Sequence, residues 1–119
     1  MSERRPVREA ATVVLVRDAG PRRELFWVRR SRDVSLGGGF FAFPGGAVDP
    51  ADRTLAARLL PDVPGGYLRI AAIRELFEEA GVLLARGPFT PAALVDARKA
   101  LLGGAPFDSL LDALGARLD

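Results

Sequence analysis

The stretch Arg74-Glu75-Leu76-Phe77-Glu78-Glu79-Ala80-Gly81-Val82 decides how this chain is read. It places three carboxylates within five residues of a segment whose apolar positions, Ile70, Ile73, Phe77 and Ala80, have helical spacing. At about 100° per residue, Glu75, Glu78 and Glu79 share about 100° of arc, turned away from Ile70, Ile73 and Phe77. Like charges three and four residues apart weaken a helix, so the cluster calls for a positive partner. A hard divalent cation such as Mg²⁺ or Mn²⁺ prefers such oxygen ligands. The competing reading is the solvated acidic face of an ordinary amphipathic helix. Three residues alone do not decide between the two.

Outward from that helix, composition narrows the choices. A chain of 119 residues with 49% hydrophobic and 27% charged content is one globular domain. It has no apolar run of about 20 residues to span a bilayer. The opening Met-Ser-Glu-Arg-Arg-Pro lacks the apolar core of a secretory leader, so the expectation is a cytoplasmic protein without membrane contact. Cysteine and histidine are absent, which removes disulfides, Cys/His zinc sites and Ser-His or Cys-His nucleophiles. Acid–base work must then fall on carboxylates, Tyr67, Lys99 or metal-bound water. The net charge of +2 divides unevenly: residues 1–32 carry +5 and residues 33–119 carry −3. A basic end suits an anionic ligand and an acidic helix suits a metal. Nucleic acid is the weaker alternative, because stacking aromatics are sparse and no binding motif is present.

Along the chain, Ala11–Val16 reads as a well-buried strand and Glu24–Arg30 as its antiparallel partner across an Asp18-Ala19-Gly20-Pro21 turn. Ser31–Gly39 is a loop, and Phe40–Phe43 is a short strand whose phenylalanines pack in the core or sheet. Gly45-Gly46 suggests close backbone approach. Asp49 and Pro50 form an N-cap and N1 pair that opens a helix through Leu55, Leu59 and Leu60, stopped by Pro61. The acidic helix spans Tyr67–Ala80 and stops at Gly81. Val82–Ala85 reads as a short buried strand. Thr90-Pro91 opens a helix to about Leu102, and Asp108 or Ser109 caps a last one.

Arg74–Val82 resembles the distal half of the Nudix box, Arg-Glu-U-x-Glu-Glu-x-Gly-U with U a bulky aliphatic, and matches it at all seven specified positions. The proximal half of the box is a Gly followed after five residues by Glu. Here Gly46 is followed after five residues by Asp52, a shorter acid, and twenty-one residues rather than seven separate that acid from Arg74. The preceding Phe43-Pro44-Gly45-Gly46 is also typical of the family. Arg30-Ser31, Gly39 and Phe43–Gly46 further resemble the signature of the family's coenzyme A diphosphatases, with Ser35 in place of an internal Arg.

The resemblance implies an α/β/α sandwich with a mixed sheet, here a single domain over 1–119 with insertions at about 53–66 and 87–119. It implies hydrolysis of a nucleoside diphosphate linked to X, coenzyme A or acyl-coenzyme A among the candidates, with Mg²⁺ or Mn²⁺ as cofactor. Glu75 and Glu79 would be the principal metal ligands, with Glu78 as third ligand or water-positioning group and the Gly46 carbonyl contributing. Arg74 would orient a box carboxylate. Asp52 would support the site only if its shorter side chain reaches. Arg29, Arg30, Arg32 and Gly45 are the expected diphosphate contacts. No strand is legible after Ala85, so the chain is expected to stop inside a helical insertion, as part of a longer protein or as a short form completed by a second chain, a homodimer included. A Nudix-fold binding module or inactive fragment without a completed active site is the alternative reading.

Overall fold

The computed structural model describes residues 6–29 and 40–118. Six short strands, β1 (Ala10–Thr12), β2 (Val16–Ala19), β3 (Arg22–Leu25), β4 (Val28–Arg29), β5 (Phe41–Ala42) and β6 (Gly45–Ala47), precede four helices. The helices are α1 (Pro50–Leu59), α2 (Gly66–Ala80), α3 (Pro91–Leu102) and α4 (Phe107–Leu114). Strands pair as β1–β6, β2–β3 and β4–β5, and every pairing among the described residues is antiparallel. This arrangement of strands and helices is the α/β class expected from the box.

The first expected strand is divided, for an identifiable reason. Val13 N–H still donates to the Pro44 carbonyl at 2.8 Å, but Pro44 has no N–H to return. The ladder to β6 ends there, and by Leu15, which accepts from Phe26 N–H at 3.0 Å, the chain has changed partner to the β2–β3 hairpin. Gly20 at φ +66° with Pro21 after it makes the two-residue turn; proline cannot take positive φ, which selects the II′ type. The strand is not well buried either. Val14 and Val16 are about half exposed, as are Leu25 and Trp27. Phe40 and Phe41 are also exposed rather than packed, whereas Phe43 stacks on Trp27 at 4.0 Å between ring centroids.

The helical punctuation follows the sequence closely. Asp49 is the N-cap of α1 and Pro50 opens it. Gly81 closes α2 in the left-handed region at φ +72°, its N–H donating to the Phe77 carbonyl at 3.0 Å. Thr90 Oγ1 accepts from Ala93 N–H at 3.1 Å to cap α3. The last helix begins earlier than expected. Pro106 is its N-cap at φ −63°, and Asp108 instead lies in the first turn with its carboxylate on Ser109 N–H at 2.8 Å. Val82–Ala85 forms no strand; the next residue, Arg86, makes an isolated antiparallel bridge with the backbone of Arg117.

One apolar cluster joins all four helices. Leu55 and Ala56 of α1, Ile70 and Phe77 of α2, Ala97 and Leu101 of α3, and Phe107 and Leu111 of α4 are its buried members. Ile70 and Phe77 are fully buried, and each large side chain of this kind contributes about 1.5–3 kcal/mol. The stretches 53–66 and 87–118 therefore pack against the acidic helix and against each other. They build the floor on which α2 lies, and this fixes the orientation of its acidic face.

Candidate functional site

The acidic face of α2 meets β6. The β1–β6 register pairs Ala11 with Gly46 and Thr12 with Gly45. Val13 N–H to Pro44 and Val48 N–H to Glu9 at 2.9 Å mark alternate bonded pairs of this ladder, so Gly46 turns its polar backbone groups toward Ala11. Gly45 and Ala47 then turn theirs outward, toward α2. Two bonds agree: Gly45 N–H donates to Glu79 Oε2 at 3.3 Å, and the Ala47 carbonyl accepts from Arg74 Nη2 at 3.1 Å. The expectation that the Gly46 carbonyl faces the acids is corrected by this alternation, which gives that place to Gly45. Gly46 supplies space instead. A Cβ there would fall on the Glu75 carboxylate, and one at Gly45 would strike the Ala11 carbonyl.

Arg74 organises the carboxylates around it. Its Nε and Nη2 fork onto Asp52 Oδ1 and Oδ2 at 2.9 and 3.0 Å. Nη1 reaches Glu75 at 3.1 Å and Glu78 at 3.2 Å, and Asp49 lies 3.4 Å from Nη2. Asp52 is 2% exposed and Arg74 7%, so this is a buried, bidentate pair. The shorter acid does reach, because α1 starts at the right place. The same Asp52 carboxylate accepts from Asp49 N–H at 2.8 Å, which pins it to the first turn of α1. The Asp52 hydrogen bonds hold Arg74 even more firmly protonated than usual, against the cost of its burial.

Burial, and then the Glu78 charge, push the Glu75 carboxyl up to about 7; Arg74 only partly offsets them. A half-buried carboxylate in that position favours an added positive charge. Glu79 is exposed. The donors are the hard oxygens that Mg²⁺ and Mn²⁺ require. Their chemistry fits such an ion, although no three acids among the described residues are gathered closely enough to enclose one, Glu75 and Glu78 being drawn to Arg74.

Other expected residues lie elsewhere. Arg29 is in β4 with its guanidinium 5.9 Å from the centroid of the Phe41 ring. Arg30 and Arg32 lie outside the described residues, as do Ser31, Ser35 and Gly39. Tyr67 stands under Arg53 at 3.9 Å and bonds Glu9, eight residues or about 12 Å along α2 from Glu75. That hydrogen bond raises the Tyr67 pKa and spends its hydroxyl away from the acids. Sequence reasoning missed Arg98. From α3 it donates through Nε and Nη2 to the Glu78 carbonyl at 3.0 and 2.9 Å, and through Nη2 to the Glu79 carbonyl at 3.3 Å. It thus closes the carbonyl end of α2 beneath two of the three glutamates. Nothing local in the sequence links Arg98 to Glu78; only the packing of α3 does.

Comparison with known proteins agrees with this geometry. The NUDIX domain family matches residues 6–101. The Caenorhabditis elegans protein named "Putative nudix hydrolase 7" is 34% identical over 86 residues, covering 72% of this chain and 25% of the nematode protein. The crystal structure of a NUDIX hydrolase from Alicyclobacillus acidocaldarius superposes with a TM-score of 0.78 at 32% identity, covering 96% of this chain and 57% of that one. The chain thus spans a quarter of one relative and a little over half of the other. Four-fifths of its own length lies within the matched domain, acidic helix and glycine strand included, and the chain belongs to the Nudix family.

Proposed function

We propose that this chain carries the working centre of a divalent-metal-dependent hydrolase that cleaves the diphosphate of a nucleoside diphosphate linked to X. The observation that carries the reading is the Arg74 network, which fastens α1, β6 and α2 together and leaves the Glu75–Glu79 face beside Gly45. Mg²⁺ or Mn²⁺, when bound, would neutralise the diphosphate and activate water for attack on phosphorus.

The chain's own residues do the rest. Glu75 and Glu79, one turn apart, are the principal ligands, and Glu78 is the third ligand or holds the attacking water. The outward backbone of Gly45 adds a polar group at the edge of the same face. Asp52 holds Arg74, and Arg74 orients Glu75 and Glu78. Arg29, Arg30 and Arg32 are the proposed cations for the diphosphate, and Mg²⁺ the first cofactor to try. Coenzyme A and acyl-coenzyme A are the proposed substrates, on the residues 30–46 signature.

A second reading is a binding module that recognises such a ligand without cleaving it. It is favoured by the grip of Arg74 on Glu75 and Glu78, which leaves the acids spread. Nucleotide release from a panel of coenzyme A, NADH, ADP-ribose and diadenosine polyphosphates separates the two. Hydrolysis that requires Mg²⁺ or Mn²⁺ and stops on chelation is expected. A folded sample that binds a panel member with metal yet turns over none would establish the binding module instead.

A further inference from the structure

Glu78 and Glu79 stand at the electrostatically wrong end of their helix. They lie in the last turn of α2, where the carbonyls without an intrahelical partner already carry partial negative charge. That turn has no basic residue of its own. Arg74, one turn earlier, answers part of the problem by bonding Glu75 and Glu78. Glu79 is not among the four carboxylates that Arg74 holds. Its own carboxylate meets Gly45 N–H at 3.3 Å, a long contact on an exposed residue. The place of Glu79 therefore depends on the backbone that carries it.

That backbone is held from α3. Arg98 forks onto the Glu78 carbonyl at 3.0 and 2.9 Å, and its Nη2 also reaches the Glu79 carbonyl at 3.3 Å. Both carbonyls are among the four that a helix leaves unpaired at its end. Ala97, beside Arg98, and Leu101, one turn on, are buried in the core, so a docked helix delivers this guanidinium. The side chain also passes close to the Gly81 stop, where an added Cβ would lie 3.4 Å from Arg98 Cδ.

We propose that Arg98 is a positioning residue for the metal face, keeping the last turn of α2 wound before an ion arrives. Glu79 then stands one turn from Glu75 in the metal-free chain. The inference rests on the reading of these glutamates as ligands of a divalent ion. Two effects of the guanidinium oppose each other. As a charge it repels a cation, but at an exposed helix end water and salt screen that repulsion. As a fork it holds the turn. Where the turn frays, only the wound fraction of molecules can bind, and apparent affinity falls by that fraction. The fork is the larger effect, so loss of Arg98 weakens metal binding although it removes a like charge.

Mn²⁺ titration followed by electron paramagnetic resonance, with amide hydrogen exchange at Glu79, Ala80 and Gly81, tests this in wild type, Arg98→Ala and Arg98→Lys. Circular dichroism checks that each protein is folded. Arg98→Ala is expected to bind Mn²⁺ about three- to tenfold more weakly, in line with a cation at a helix C-terminus. Its exchange should be fast with a chelator present and slow again at saturating Mn²⁺, whereas the wild type should be slow in both. Arg98→Lys keeps the charge but cannot fork, so its affinity should also fall below wild type. Equal or tighter Mn²⁺ binding in a folded Arg98→Ala or Arg98→Lys overturns the positioning role and leaves the metal reading intact. Fast exchange that Mn²⁺ does not slow in Arg98→Ala makes Arg98 a structural cap alone and also overturns it. Absence of saturable binding to the folded wild type overturns the metal reading, and the positioning role with it.

Discussion

A single guanidinium serves four carboxylates at Arg74, and the distances and burial rank them. The fork to Asp52 is the shortest and most buried contact, and the bonds to Glu75 and Glu78 are single and longer. Removing one partner of such a pair leaves a charge in a place without water. Arg74→Ala should therefore cost about 3–5 kcal/mol in denaturant unfolding. Arg74→Lys should recover only part of that, because an ammonium cannot fork. Glu75 gives a second prediction. Its pKa in the folded, metal-free chain is about 7, above the ordinary 4.5. The folded state thus holds the proton more tightly than the unfolded state. Its contribution is fully present below pH 4.5 and is lost as pH rises through 7. With a chelator present, thermal stability should fall across that window, and Glu75→Gln should flatten the fall. An unchanged slope in Glu75→Gln would assign the loss to another group.

At the scale of elements, the acidic helix was readable because its signals are local: apolar spacing, three acids on one arc and a glycine stop at Gly81. Capping at Asp49-Pro50 and Thr90-Pro91 was readable for the same reason. The strands were less so. Continuous apolar character at Ala11–Val16 suggests one buried strand, but it cannot show that Pro44 ends the ladder to β6 or that Val14 and Val16 stay exposed. Within the site, the glutamates, Arg74 and the glycine pair were legible from the box pattern. Which glycine faces the acids was not, because that depends on the register with β1. Arg98 was equally hidden. It lies twenty residues from the carbonyl it caps, and only docking of α3 brings it there. Arg98→Ala should speed hydrogen exchange in the last turn of α2 and cost about 0.3–2 kcal/mol, the range for a cation at a helix C-terminus. If exchange at Glu78–Gly81 is unchanged, the cap has no role in holding that turn.

Across the whole molecule, the acidic helix is held from two sides by different physics. Apolar packing of α1, α3 and α4 supports its inner face, and the Arg74 network with β6 trims its outer one. Among the described residues no helix is long and apolar enough to cross a membrane. The exposed Val14, Val16, Leu25, Phe26 and Trp27 mark the strand region as the thinly covered side of the structure. The helical side, where the acids lie, is the well-supported one. On this supported face the glutamates are proposed to hold a divalent ion. Titration of Mn²⁺ into the chain, read by its electron paramagnetic resonance, tests that most directly in wild type and in Glu79→Gln. Saturable binding that weakens at least about tenfold in Glu79→Gln is the predicted result, since even partners one step removed from a metal are worth that much. Equal Mn²⁺ affinity in the two proteins, or no saturable binding to the folded wild type, would contradict it.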